Sequence, residues 1–254
     1  MSVTIEQIQS LRNRTGVGMM AVKKALEEAG GDEEAALELL RKRGEAQSAK
    51  KADRDQGEGL VFAASNGARA SLVMIKCETD FVARDDNFQN MGQTLADTLL
   101  NDEDSFQAKA DEMIPEAVQK LGENITLGET RTVEAPVVGT YVHTNGKIGV
   151  IVGLDGSDVE HAKDAAMHAA AMNPAVVSPD DVTEDLVAKE KEIWTEQLAA
   201  EGKPAEIMEK IMIGKEKKFR EESALIAQPF VKDPEVTVGD YVGAGVTAYE
   251  RLAV

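Results

Sequence analysis

The sequence has 254 residues, with 46 acidic and 28 basic side chains and a formal net charge of −18. This charge disfavours nonspecific binding to a phosphate backbone, so we expect no direct contact with nucleic acid and a protein or small molecule as partner. No apolar run reaches the about 18 residues of a membrane-spanning helix, and Met1 leads into a helix signal without an export leader, so we expect no membrane partner. The single cysteine, Cys77, is typical of a reducing compartment and predicts a cytoplasmic location.

Residues 1–54 predict a domain of three short helices followed by a polar linker. Thr4 opens the first helix with a capping-box pattern, and this helix is expected to reach about Arg14. The second helix begins at Met19 and is stopped by two glycines, and the third begins after Asp32 and is expected to end at Gly44. Three such helices with small apolar residues inside resemble the ubiquitin-associated fold.

Met19 and Met20 open the second helix as an adjacent pair. Neighbouring helix residues point about 100° apart, so one methionine can fill the small core while the other stays available to a partner. Burial of both side chains in that core is the alternative.

Residues 55–136 predict a first α+β subdomain. An antiparallel hairpin runs from Leu60–Ala64 through an Asn-Gly turn to Ala70–Cys77. A helix with apolar residues at helical spacing follows from Phe88 and is expected to end at the acidic residues 102–104. Pro115 is expected to open a further helix to Leu121, and residues 125–134 predict a strand.

Residues 137–178 and 224–254 predict a second α+β subdomain with the same plan. Strands Val137–His143 and Lys147–Leu154 flank a second Asn-Gly turn, a helix follows from about Val159 to Met172, and Val246–Leu252 predicts a closing strand. Residues 179–223 read as an inserted helical hairpin with a narrow apolar stripe, typical of a projecting antiparallel coiled coil. The sequence therefore predicts an α+β fold with small antiparallel sheets.

Thr79, Asp80, Phe81 and Val82 form a turn between an apolar strand and a helix. Local chemistry favours a structural role, in which Asp80 caps the next helix and Phe81 packs onto the core. In the alternative, the ring stays exposed beside the carboxylate and inserts into a partner, as functional loops at strand ends do.

The run Glu78–Arg84 resembles the signature of the elongation factor Ts family, the bacterial nucleotide-exchange factors of elongation factor Tu. The segments Leu11–Leu26 and Ala166–Ala170 are similar to two further stretches of that family. The resemblance implies two core subdomains and a partner, elongation factor Tu, that is bound in its GDP-bound and nucleotide-free states.

The resemblance also implies roles for particular residues. Thr79, Asp80, Phe81 and Val82 are expected to intrude beside the magnesium site of the partner. The N-terminal contacts with the partner are expected at Arg12, Met19 and Met20. Contacts from the second subdomain to another domain of the partner are expected at His143, Asn145, Gly146 and Lys147.

No grouping of residues in the sequence indicates catalysis or a cofactor, so we expect a protein that is not an enzyme. His161 and His168 lie two helical turns apart but lack a further ligand, so we expect no metal site and interpret His168 as a core or interface histidine. The alternative function is a ubiquitin-associated-like peptide-binding module on an α+β scaffold without exchange activity. A homodimer, or a complex with two copies of each partner, remains open.

Overall fold

The computed structural model describes residues 3–200 and 205–254. In this part of the chain, helices combine with two three-stranded antiparallel sheets and one two-stranded sheet, which confirms the α+β prediction. None of the helices in these ranges is long and apolar enough to cross a membrane.

The chain begins with three helices, α1 (Ile5–Thr15), α2 (Met19–Glu28) and α3 (Glu33–Lys51). The predicted capping box at Thr4 is confirmed, and α1 ends at Gly16, whose φ of 66° is left-handed. The helices enclose a small core of their own, made of Ile8, Leu11, Val17, Val22, Ala25, Leu26, Ala36 and Leu40.

The predicted end of the third helix at Gly44 is wrong, because α3 continues to Lys51. Gly44 is buried where α3 crosses a later helix, and a Cβ atom at this position would lie only 2.9 Å from the carbonyl oxygen of Pro115. The glycine therefore permits a close approach of two backbones instead of stopping the helix.

The first sheet contains β1 (Glu58–Ser65), β2 (Arg69–Cys77) and β3 (Thr126–Glu134), in the order β1-β2-β3. The hairpin register pairs Ser65 with Ala70 around the predicted Asn-Gly turn. Helices α4 (Asp80–Ala83), α5 (Asp86–Asn101) and α6 (Glu103–Leu121) connect β2 to β3. Their apolar sides and the sheet bury one core around Val73, Ile75, Phe88, Leu95, Val118 and Ile125.

The predicted helix start at Pro115 is also wrong, because Pro115 lies inside α6. Asp102 caps this helix by accepting a hydrogen bond from the Ser105 amide, so the acidic residues that end α5 also begin α6. An internal proline costs about 3 kcal/mol or more. Burial of Phe106 and Ala110 before the proline, and of Ala117 and Val118 after it, offsets this cost.

The second sheet contains β4 (Val137–Val142), β5 (Ile148–Leu154) and β8 (Val246–Ala253), in the order β4-β5-β8. Helix α7 (Val159–Met172) packs on it, and β6 (Pro229–Phe230), β7 (Asp233–Thr237) and α10 (Val238–Val242) complete this half. Its buried residues include Val150, Val152, Ala165, Ala169, Leu225 and Phe230.

The two sheets share an apolar layer. Residues of the first sheet, Val61, Leu72, Met74 and Val133, join residues of the second, Val138, Ile151 and Leu252, in a single buried cluster. The two halves therefore meet through their sheets, and their division into separate subdomains stays a prediction.

Helices α8 (Glu184–Ala200) and α9 (Ala205–Ser223) form the inserted hairpin. Trp194 of α8 is buried and contacts Phe219 of α9 edge to face, with ring centroids 5.8 Å apart. At the base, Arg220 donates a hydrogen bond of 2.8 Å to the carbonyl oxygen of Val182 and forms an ion pair with Glu184. The two helices are thus joined by the polar contacts of Arg220, by the ion pair of 2.7 Å between Lys191 and Glu216 and by the contact of Trp194 with Phe219.

Candidate partner-binding surface

The turn after β2 is capped by Thr79 and not by Asp80. The Thr79 Oγ accepts a hydrogen bond of 3.4 Å from the Val82 amide, whereas the Asp80 carboxylate forms an ion pair of 2.9 Å with Arg84 one turn later. The next helix, α5, is capped by Asp85. The expectation that Asp80 caps a helix is therefore wrong.

Phe81 points away from the protein, and its side chain is 80% exposed. The neighbouring Val82 and Ala83 are buried among Cys77 and Phe88. Because the single turn of α4 directs Val82 and Ala83 into the core, Phe81 lies on the opposite side. The core packing of Phe81 that local chemistry alone favours is thus wrong, and the ring is exposed, as the partner-binding role implied by the resemblance requires.

The backbone of this turn is held by the carboxylate of Glu123. Its Oε2 accepts hydrogen bonds from the amides of Glu78 and Thr79 at 3.1 and 3.0 Å, and its Oε1 accepts one from the Thr79 hydroxyl at 2.5 Å. In return, the Asn124 amide donates to the Glu78 carboxylate at 2.6 Å, which is the main cause that lowers the pKa of Glu78. These hydrogen bonds therefore hold the backbone that precedes Phe81 in a defined conformation.

The N-terminal residues of the predicted surface are all exposed. Arg12 lies on α1, and Met19 and Met20 at the start of α2 are 50% and 76% exposed. The expectation that one methionine fills the core is wrong, because Val22, Ala25 and Leu26 form the buried face of α2 and Val17 fills the space before it. Both methionines are available to a partner.

The turn between β4 and β5 is tightly organised. The Asn145 Oδ1 accepts a hydrogen bond of 3.0 Å from the Lys147 amide and lies 3.0 Å from the Nδ1 of His143. Gly146 adopts a φ of 71°, which favours glycine, and Lys147 forms an ion pair of 2.6 Å with Glu58 of β1. His143 and Asn145 are exposed at the tip.

The turn after β2 and the turn between β4 and β5 both line one cleft of about 900 Å³. Asp80, Ala83 and Arg84 line one side, residues 142–147 line the other, and residues 58–63 of β1 lie between them. The structure thus brings Asp80 and the tip at residues 143–147 to one cleft, although they lie far apart in the sequence. The other predicted partner-binding residues do not line it: Thr79, Phe81, Val82, Arg12, Met19 and Met20.

Sequence reasoning missed part of the cleft wall. Gln89, Asn90 and Gln93 of α5 line it together with β1. The polar pair Gln89 and Gln93 lies one turn apart, beside the apolar stripe of the same helix, and this spacing was the available signal.

Comparisons with known proteins identify the family of this chain. The family model described as elongation factor TS matches residues 78–254. The chain is 48% identical to elongation factor Ts of Alcanivorax borkumensis over 97% of this chain and 92% of that protein. It is 44% identical to elongation factor Ts of Deinococcus deserti, over 98% of this chain and 99% of that protein. The chain belongs to the elongation factor Ts family.

The match to the elongation factor Ts family model begins at Glu78 and so includes the whole turn that presents Phe81. It also includes both sides of the cleft except for β1, which precedes the matched range. A third relative, elongation factor Ts of Teredinibacter turnerae, is 46% identical over 100% of this chain and 91% of that protein, so the likeness also extends to the three N-terminal helices.

His168 lies outside the cleft and is fully buried in α7. The Val231 amide donates to its Nδ1 at 3.2 Å, so the ring proton is on Nε2, which donates to the Gln228 Oε1 at 2.8 Å. Burial lowers the pKa of His168. His168 is therefore a core histidine and not an interface histidine. Among the described residues, no group of three His, Cys, Asp or Glu side chains is placed to hold a metal.

Proposed function

We propose that this protein is a guanine-nucleotide exchange factor that binds elongation factor Tu carrying GDP, promotes GDP release and stays bound until GTP enters. The observation that carries the proposal is Phe81, 80% exposed on a turn whose backbone is held by Glu123, in a chain of the elongation factor Ts family. In this proposal the protein is not an enzyme and uses no cofactor, because it makes and breaks no covalent bond.

The need for such a factor follows from the strength of nucleotide binding. A GTPase that holds GDP with a roughly nanomolar Kd and binds it at about 10⁶ per molar per second releases it at only about 10⁻³ per second. Much of this affinity comes from a magnesium ion that bridges phosphate oxygens and from backbone amides around the phosphates. A factor that disturbs this site accelerates release without replacing the nucleotide.

In this proposal, the turn Thr79–Val82 causes the disturbance. Phe81 would enter between side chains of the partner beside its magnesium site, and its apolar ring would leave water on binding. Asp80, held beside it by Arg84, would compete for the hydrogen bonds and the water shell around the ion. Thr79 caps the start of the turn, and the buried side chain of Val82 anchors its end.

Further contacts would hold the partner in place. Arg12, Met19 and Met20 supply a cationic and apolar surface for its nucleotide-binding domain. The exposed tip around His143, Asn145, Gly146 and Lys147 would hold another domain of the partner. Because the cleft joins this tip to the turn at Asp80, one bound partner would contact both.

Binding of nucleotide and binding of this protein oppose each other by the same factor. If this protein lowers the affinity of elongation factor Tu for GDP by some factor, GDP lowers the affinity of elongation factor Tu for this protein by the same factor. The complex is therefore transient where nucleotide is abundant.

The finer structural expectations belong to the same proposal. The three N-terminal helices would be a ubiquitin-associated-like domain, supported by their own small core, and α8 with α9 would be an antiparallel coiled coil, supported by the contact of Trp194 with Phe219. A cytoplasmic location, no direct contact with nucleic acid or membrane, and a homodimer or a complex with two copies of each partner also remain proposals.

The test is release of fluorescent GDP from elongation factor Tu with and without this protein. We expect acceleration that saturates as the protein concentration rises, because release then proceeds from a complex of the two proteins. No acceleration at micromolar concentration would contradict the proposal and favour the peptide-binding alternative, which predicts no exchange.

A further inference from the structure

Glu123 links the segment after α6 to the turn that presents Phe81. Both of its carboxylate oxygens are used: Oε2 by the amides of Glu78 and Thr79, and Oε1 by the Thr79 hydroxyl. That hydroxyl oxygen accepts in turn from the Val82 amide. The chain of hydrogen bonds therefore begins at Glu123 and reaches the residues on either side of Asp80 and Phe81.

The two amides that Glu123 binds lie beyond the ends of the strand ladders. The pairing of β2 with β1 ends at Cys77, and the pairing of β2 with β3 ends at Lys76. Glu78 and Thr79 thus lie between a strand and a helix, where neither element supplies acceptors for their amides. A carboxylate is a strong acceptor for such groups, and its hydrogen bonds are more stabilising than those between neutral groups.

We propose that Glu123 is a positioning residue for nucleotide exchange, which holds the turn in the conformation that lets Phe81 enter the partner. This inference rests on the proposed function. Glu123 acts through the turn, because all three of its hydrogen bonds go to Glu78 and Thr79.

The neighbouring Asn124 ties the same segment to the chain that leads from the N-terminal helices. The Asn124 Nδ2 donates to the carbonyl oxygen of Arg54 at 3.0 Å, and the backbone carbonyl oxygen of Asn124 accepts from the Gln56 Nε2 at 3.1 Å. Asn124 is only 1% exposed. The segment 123–124 therefore contacts both the turn of Phe81 and the chain that follows α3.

The experiment measures the saturating rate of GDP release from elongation factor Tu for the full chain and for Glu123→Ala, Phe81→Ala and the double variant. If Glu123 acts by positioning Phe81, Glu123→Ala slows release by about fivefold or more. In the Phe81→Ala background, the same change slows release by less than about twofold, because the ring that it positions is gone.

Two further variants separate positioning from a general effect. Glu123→Gln keeps one oxygen for both amides and an amide nitrogen that can donate to the Thr79 Oγ, so it is expected to restore most of the rate. Glu129→Ala removes an exposed carboxylate of β3 that pairs with Arg131, and it is expected to leave the rate unchanged. Amide hydrogen exchange of Glu78 and Thr79, measured without any partner, is expected to quicken in Glu123→Ala and not in Glu129→Ala.

The release rates and the hydrogen exchange together test both the positioning role and the proposed function. An unchanged release rate in Glu123→Ala, or an equal loss with and without Phe81, overturns the positioning role. A native chain that does not accelerate release overturns the proposed function, and the role of Glu123 in exchange with it. Hydrogen exchange distinguishes the two failures, because unchanged protection in Glu123→Ala shows that Glu123 does not hold the turn, whatever the native chain does.

Discussion

Asp80 and Arg84 form an ion pair across the single turn of α4, while the cap of that helix is made by Thr79. The pair lies at the surface, with side chains 47% and 78% exposed, so it adds little to the stability of the fold. The role of Asp80 can therefore be tested without unfolding the protein.

We expect Asp80→Ala to change the free energy of unfolding by less than about 0.5 kcal/mol and to slow GDP release. Thr79→Ala is the matched control, because loss of the cap is expected to cost about 1 kcal/mol. Chemical denaturation and stopped-flow release on both variants provide the measurements. A large loss of stability in Asp80→Ala would mean that its carboxylate has a structural role in addition to the ion pair.

Phe81→Ala is expected to leave the melting temperature nearly unchanged, because the ring is 80% exposed. Release of GDP should slow by about tenfold or more, which corresponds to about 1.4 kcal/mol of lost transition-state stabilisation. Leu72→Ala is the folding control: Leu72 is fully buried, and its truncation is expected to cost about 2–5 kcal/mol.

Melting curves and stopped-flow release on these two variants separate an interface residue from a core residue. A Phe81 variant that melts early yet releases GDP at the full rate at low temperature would disprove the insertion of the ring into the partner.

Local signals in the sequence identified the elements whose formation depends on local chemistry. The Asn-Gly turns at residues 66–67 and 145–146 predicted both hairpins, since this dipeptide favours tight turns wherever it occurs between strands. The capping patterns at Thr4 and Asp32 likewise predicted two helix starts. The errors at Gly44 and Pro115 depend on tertiary packing, which no local pattern reports: Gly44 lies against the backbone of α6, and burial on both sides of Pro115 offsets the cost of the proline inside α6.

The candidate site was predictable in its residues but not in its arrangement. The resemblance supplied Phe81 and Met20, and their exposure depends on which neighbours fill the core. Asp80 and His143 line the same cleft because the two sheets pack together, which no local pattern reports. Glu123 carried no signal because its hydrogen-bond donors, two backbone amides and the Thr79 hydroxyl, lie more than 40 positions away. The roles of these residues in partner binding stay predictions.

Deletion of Lys189 to Lys215, with a short loop joining the remaining ends, is expected to leave the rate of GDP release within about threefold of the native rate. The polar contacts of Arg220 with Val182 and Glu184 at the base lie outside the deleted range and would still hold the junction. A loss as large as that of Phe81→Ala in the same stopped-flow assay would show that the hairpin contacts the partner.

His168 is expected to make stability depend on pH below about 6.5, the ordinary pKa of a histidine. Burial lowers its pKa in the folded protein, so the unfolded chain takes up a proton below about pH 6.5 while the folded chain does not. Stability is therefore complete above pH 6.5 and falls as the pH decreases. The pKa values of the Glu78 and Asp164 carboxyls are lowered in the folded protein, so the stability that these groups contribute is lost only below about pH 4.5.

His168→Gln is the matched variant, because the amide can accept from Val231 and donate to Gln228 without titrating. Between pH 7.5, 6.5 and 5.5, the melting temperature of the native chain should decrease relative to that of the variant, because the other titrating groups, such as Glu116 with its pKa raised by burial, are the same in both proteins. Parallel curves for the two proteins would assign the pH dependence to other groups.

The pairing of β5 with β8 joins residues that lie roughly a hundred positions apart in the chain, with the helical hairpin between them. The strands of the first sheet lie closer in sequence, and β1 and β2 are adjacent. Since distant segments meet more slowly than near ones, the first sheet can assemble early and offer its apolar surface as a template. The arrival of β8, which buries Leu252 in the layer shared by both sheets, would then set the folding time of the whole core.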